Sequence, residues 1–119
     1  MKTILLVDDQ PHISKMIAIK LEKMGYKVLF AENGKIGIKV AKQSKPDLII
    51  MDIMMPEMDG FSAVSEIRND PEIKDTAVIF LSAKGQDSDK KKAQELNAVD
   101  FVCKPFSPKD LTDIISKHL

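Results

Sequence analysis

The sequence predicts an α/β domain, a doubly wound, five-stranded parallel sheet with five helices on its two faces. Three observations lead there. Short apolar runs recur as Ile4-Leu5-Leu6-Val7, Val28-Leu29-Phe30-Ala31, Leu48-Ile49-Ile50-Met51, Val78-Ile79-Phe80-Leu81 and Val99 to Cys103. Runs of this length bounded by turn signals read as strands buried on both faces. Segments with helical periodicity separate them, and such alternation implies right-handed crossovers. The 119 residues, 44% hydrophobic and 30% charged, suit one domain spanning residues 1–119, with one core and no linker or repeat.

The first helix places Ile13, Met16, Ile17, Leu21 and Met24 at i, i+3, i+4 spacing, starts near Pro11 and closes at Gly25. Asn33-Gly34 turns the second strand into a helix carrying Ile36, Ile38, Val40 and Ala41. Lys45-Pro46 ends that helix, because a residue before proline leaves the helical region. The third strand runs into Asp52 and a loop, Ile53 to Gly60, with proline and glycine punctuation. The third helix buries Phe61, Val64 and Ile67 and stops around Asp70-Pro71. After the fourth strand, Ala83 to Asp89 is polar, and the helix from about Ser88 to Leu96 offers only Ala93 and Leu96 as apolar anchors. The last helix opens with Ser107-Pro108-Lys109-Asp110, a capping spacing, and buries Leu111, Ile114, Ile115 and Leu119.

Composition narrows the function. Lys plus Arg number 18 and Asp plus Glu number 18, so the basic excess of a nucleic-acid binder is missing. No apolar run approaches the roughly 18 residues that span a bilayer, and Met1-Lys2-Thr3 leads straight into a strand without a signal peptide's apolar region. Cys103 is the single cysteine, which points to a reducing, cytoplasmic compartment and to a small core side chain. His12 is expected to face solvent, not to bind a metal.

The chemistry gathers at strand ends. Four apolar runs stop at a polar residue: Asp8-Asp9, Asp52, Ser82 and Lys104. In parallel α/β sheets, ligands bind outside the carboxyl ends of the strands, so these residues are expected to converge. Clustered carboxylates repel one another unless a cation intervenes. Mg²⁺ accepts one or two carboxylates together with phosphate oxygens. A carboxylate beside it can attack phosphorus, and an ammonium and a hydroxyl can hold the equatorial oxygens. Singly, each has an ordinary use: Asp9 as a helix cap, Asp52 and Ser82 as loop or turn residues, Lys104 as a solvated lysine. Four strands placing complementary groups at one edge favours the collective reading.

Taken in order, Leu5-Leu6-Val7-Asp8-Asp9, Pro46-Asp47-Leu48 leading to Asp52, Met55-Pro56 with Met58-Asp59-Gly60, Ser82-Ala83-Lys84 and Lys104-Pro105-Phe106 resemble a response-regulator receiver domain of two-component signalling. The resemblance spans essentially the whole chain and suggests a stand-alone, chemotaxis-like receiver. The flavodoxin-like strand order 2-1-3-4-5 comes with it, being that of the chemotaxis receiver. It implies that Asp52 accepts a phosphoryl group from a histidine kinase or histidine phosphotransfer protein. Mg²⁺ would be held by Asp8, Asp9, Asp52 and the Met54 backbone carbonyl, with Asp8 acting chiefly through water. Ser82 and Lys104 would contact the phosphoryl group, Ser82 and Phe101 would form the switch, and Lys104-Pro105 would be cis. Met54 and Lys84 would flank the phosphoryl site. The implied protein is a phosphoacceptor, not an enzyme, that promotes its own phosphorylation and slow dephosphorylation, and a monomer.

Three positions depart from the family's common pattern. Ser82 stands where threonine is frequent, Phe101 where tyrosine is, and Asn97 where glycine is. Asparagine tolerates the left-handed conformation such a turn needs. Because the fourth helix is weakly anchored, the region from Ala83 to Leu96, with Phe101, is the expected moving part, and the fourth helix, fifth strand and fifth helix form the output face for a protein target. Lys90-Lys91-Lys92 lies there, either as a solvated face or as a dock for an acidic partner. Ile19, off the first helix's buried stripe near His12, Lys15 and Lys23, is the expected kinase contact. Two rivals remain at this point. A Mg²⁺-dependent aspartyl-phosphate phosphohydrolase would want Asp-x-Asp after the first strand, and a flavodoxin-like FMN carrier would want a hydroxyl- and glycine-rich loop there.

Overall fold

A computed structural model describes residues 1–82, 87–104 and 106–119. The expected cis bond at Pro105, and the positions of Ala83 and Lys84, lie outside the described residues. The elements follow the predicted alternation: β1 (Thr3–Val7), α1 (Pro11–Lys23), β2 (Lys27–Ala31), α2 (Gly34–Ser44), β3 (Leu48–Asp52), α3 (Gly60–Arg68), β4 (Ala77–Ser82), α4 (Asp87–Glu95), β5 (Asp100–Cys103) and α5 (Pro108–His118). Among the described residues the strands form one parallel sheet in the order β2-β1-β3-β4-β5.

Strand alternation divides the core into two layers. Ile4, Leu6, Leu48, Ile50, Ile79 and Leu81 pack with Ile17 and Leu21 of α1 and Leu111 and Ile115 of α5. Leu5, Val7, Ile49, Met51, Val78 and Phe80 pack with Ala41 of α2, Val64 and Ile67 of α3, and Ala93 of α4. β3 is buried along its whole length, as a central parallel strand covered on both faces must be.

Turn chemistry fixes the helix ends. At the end of α1, Gly25 takes φ +95°, its N–H bonds Glu22 O and the Tyr26 N–H bonds Leu21 O, a Schellman cap. Asn33, Asp59 and Ser107 accept hydrogen bonds from Ile36, Ser62 and Asp110 N–H at the starts of α2, α3 and α5. Asn97 does take φ 58°.

Several expectations need correction. Met16 and Met24 are 60% and 45% exposed; the buried stripe of α1 is Ser14, Ile17, Ala18 and Leu21. Ile36 is also exposed, because α2 turns Gly34, Gly37 and Ala41 to the sheet. A Cβ on Gly37 would come within 2.9 Å of a Val7 methyl, so this face packs by lacking side chains. α2 does end before Lys45-Pro46, with Lys45 leaving the helix in the left-handed region at φ 48°. α3 stops at Arg68 with Asn69 as its cap, ahead of Asp70-Pro71. β5 begins at Asp100, leaving Val99 exposed. Cys103, the last residue of the edge strand β5, is exposed as well, while Val102 beside it is buried.

Candidate functional site

Parallel strands with a common direction end at a common edge, and that edge carries Asp8, Asp52, Ser82 and Lys104. Asp8 follows β1, and its N–H is held by Ala31 O at 3.1 Å. Its Oδ1 accepts from the Gln10 N–H at 2.9 Å. Gln10 is the N-cap of α1 and makes no side-chain capping bond, so Asp9 is not the helix cap; it is exposed beside the cleft. Oxygens of Asp8, Asp9 and Asp52 lie within 4.8 Å of one another.

Asp52, the last residue of β3, is 3% exposed. Its Oδ1 accepts from the Met54 N–H at 3.1 Å and its Oδ2 from Lys104 Nζ at 3.0 Å. Lys104 Nζ also lies 3.9 Å from Asp8 Oδ2. The Lys104 N–H bonds Ser82 O at 2.6 Å, which joins the ends of β4 and β5. Ser82 is buried at that junction.

The loop after Asp52 folds back on its own strand. Ile53 N–H bonds Leu81 O and Gly60 N–H bonds Ile53 O, each at 3.0 Å. A Cβ at Gly60 would run into the Asp52 carbonyl, so glycine here allows the loop to close under the carboxylate. From sequence, Gly60 counts as loop punctuation and as part of the Met58-Asp59-Gly60 motif, not as a steric requirement of the site. The Asp59-Gly60 pair opening a helix was the available signal.

Among the described residues, the site holds the carboxylates of Asp8, Asp9 and Asp52 and the ammonium of Lys104. Burial is the main cause that lifts Asp8 to a pKa of about 6; Asp52 adds to the rise, while the Gln10 N–H and Lys104 oppose it. Among the described residues, buried Asp8 Oδ2 accepts no hydrogen bond. An orphaned buried acceptor among hard oxygen donors fits a divalent cation of the Mg²⁺ class. Met54 contributes its N–H to this network and exposes its side chain by 66%. Phe101 stands apart from the carboxylates, half-buried against the core layer under α2, α3 and α4.

Comparison with known proteins agrees with this geometry. The family model for the response regulator receiver domain matches residues 4–116. The phosphate regulon transcriptional regulatory protein PhoB of Pseudomonas aeruginosa is 42% identical over 110 residues, covering 92% of this chain and 48% of PhoB. Protein PilH of the same organism is 39% identical over 119 residues, covering 100% of this chain and 98% of PilH. The chain thus spans about half the length of regulators such as PhoB. The crystal structure of chemotaxis protein CheY4 from Vibrio cholerae superposes with a TM-score of 0.94 at 30% identity, covering 100% of this chain and 99% of CheY4.

Proposed function

The chain belongs to the response regulator receiver family, and from that premise we propose that Asp52 is its phosphoacceptor. The observation that carries this reading is the buried Asp52 carboxylate, held by Lys104 at 3.0 Å and clustered with Asp8 and Asp9. The donor is a phosphohistidine on a kinase or phosphotransfer protein. A carboxylate oxygen of Asp52 forms the new bond to phosphorus as the phosphorus–nitrogen bond breaks. The electron pair leaves on the imidazole, which a proton from solvent then neutralises.

Asp8, Asp9 and Asp52, with the Met54 carbonyl, would hold Mg²⁺, which when bound neutralises carboxylate and phosphoryl charge. Lys104 orients Asp52 before the reaction and is positioned to follow the charge onto the phosphoryl oxygens. Ser82, at the end of β4, supplies a hydroxyl for a further oxygen and, with Phe101, the switch. The protein promotes its own modification and its slow hydrolysis, and does not turn over a separate substrate. Carboxylates at the first strand's end also disfavour an FMN phosphate there.

The kinase docks on α1 beside the site. Ile19 is 57% exposed, and with Met16, Lys20, Lys23, Met24 and Pro108 it lines one shallow groove. An apolar groove with a lysine rim suits an amphipathic helix of the kinase. Output runs through α4, β5 and α5 to a protein target, and the domain acts as a cytoplasmic monomer, as a single-domain regulator or relay member. No helix among the described residues is long and apolar enough to cross a membrane.

The test is covalent labelling. With Mg²⁺ and acetyl phosphate, intact mass should show one added phosphoryl group on the wild type and none on Asp52→Asn. Labelling of the variant at the wild-type rate overturns the assignment.

A further inference from the structure

Arg68, the last residue of α3, ties together three separated pieces of backbone. Its Nε donates to Leu96 O at 2.8 Å and its Nη2 to Asn97 O at 3.3 Å, both at the C-terminal end of α4. Its Nη1 donates to Lys74 O at 2.8 Å and Thr76 O at 2.7 Å, just before β4. Carbonyls past a helix end have no intrahelical partner and carry the negative end of the helix dipole, so a guanidinium suits them doubly. A Schellman pair completes the cap, with Asn97 N–H to Gln94 O and Ala98 N–H to Ala93 O, each at 3.0 Å.

The other end of α4 is held differently. Ala93 is the buried residue of the helix, and Leu96 and Ala98 pack beside it on the core. Towards the N-terminus, Asp87, Ser88, Lys90 and Lys91 are exposed and Asp89 is half-buried. Lys92 Nζ rests 5.4 Å over the Phe61 ring, a weak attachment at an exposed site. Among the described residues, attachment is concentrated in the last turn.

We propose that Arg68 pins the C-terminal end of α4, so that phosphorylation moves this helix as a pivot confined to its N-terminal half. The proposal rests on Asp52 as acceptor and adds where the output helix bends and where it does not. A planar fork of five donors is required, because the four carbonyls approach from two sides. Lysine, whose donors radiate from one nitrogen, can serve one side only.

Residue-resolved amide exchange on the full chain tests this, with and without Mg²⁺ and beryllofluoride as phosphoryl mimic. In the untreated protein, Arg68→Ala should lower protection of the Leu96, Asn97 and Ala98 amides at least about tenfold, and Arg68→Lys by less. Labelling of Asp52 by acetyl phosphate should stay within about twofold in both variants, since the hydrogen bonds of Arg68 run to Leu96, Asn97, Lys74 and Thr76 and, among the described residues, to none of the site. In the wild type, beryllofluoride should change protection at Lys91 and Lys92 and leave Ala98 unchanged; in the variants the change should spread to Ala98. If Arg68→Ala fails to fold, Arg68→Lys carries the same comparison. Equal responses at Lys91 and Ala98 in the wild type, or unchanged Ala98 protection in the variants, overturn the pin. A response in the loop after Asp52 without one in α4 overturns the pivot alone. No response in either refutes the acceptor reading and, with it, the pivot.

Discussion

The ammonium of Lys104 lies 3.0 Å from Oδ2 of Asp52 although their strands are not neighbours. β4 stands between β5 and β3, so the pair bridges two strand spacings, about 10 Å. A four-carbon stem meeting a side chain from β3 can cover that span, with the charge delivered at its tip. Lys104 is thereby the cation that makes the buried Asp52 carboxylate tolerable and holds it in one orientation.

Replacing Lys104 with Met should therefore leave two buried carboxylates without their ammonium. The expected cost is about 2 kcal/mol in urea unfolding, discounted from a fully buried pair because Lys104 is partly exposed. Mg²⁺ should restore more stability to the variant than to the wild type. Labelling by acetyl phosphate should fall roughly tenfold or more. An unchanged labelling rate would remove Lys104 from the chemistry.

Burial of Asp8 gives the unlabelled protein a pH response at the site. Its folded pKa of about 6 exceeds the ordinary 3.8, so the fold prefers the protonated form. The stability it contributes is fully present below about pH 4 and is lost as pH rises through about 6. Asp8→Asn should thus stabilise the metal-free protein at about pH 7.5, by on the order of 2 kcal/mol, and flatten the slope between those values. The Mg²⁺-induced rise in Tm of the wild type should grow over the same interval. A variant less stable than wild type in metal-free buffer at that pH would contradict the assignment.

Much of this was legible because central parallel strands are apolar on both faces and leave a plain trace. Ile4 to Val7 and Leu48 to Asp52 are buried throughout, so their polar ends stood out. The helices were harder where small residues do the packing. Gly37 buries the α2 face that Ile36 was expected to cover, and Ser14 and Ala18 replace Met16 on α1. Periodicity registers large apolar side chains, not close backbone approach. Cys103 reads as a core side chain because neither its place at the end of β5 nor that strand's edge position is encoded in the strand's own residues. Arg68 gave no signal at all, since its four partners are main-chain carbonyls of residues 6 to 29 positions away.

The exposure of Cys103 has a direct chemical check. An accessible thiol on an edge strand should react with a disulfide reagent in the native state at a rate within about tenfold of the urea-unfolded chain. A core cysteine would wait for unfolding, with protection of several orders of magnitude. Protection on that scale would return Cys103 to the interior and contradict its placement on β5.

The glycines offer a graded test of how tightly the site is built. At Gly60 a Cβ would meet the backbone of Asp52, the end of a central strand that cannot yield locally, and of Ile53 just after it. At Gly37 it would meet two Val7 methyls at 2.9 and 3.1 Å, on a stiff β-branched side chain. At Gly34 the nearest atoms are Ala63 Cβ at 3.1 Å and the Met58 side chain at 3.2 Å, and a methionine can swing aside. Alanine should therefore cost most at Gly60, about 3 kcal/mol, less at Gly37, and under about 1 kcal/mol at Gly34. Urea midpoints with unchanged m-values measure the order. Gly60→Ala should also slow acetyl phosphate labelling, because the displaced peptide carries Asp52 away from Lys104. Gly34→Ala should leave labelling alone. Equal costs at the two positions would mean that the loop after β3 adjusts freely and that Gly60 does not set the position of Asp52.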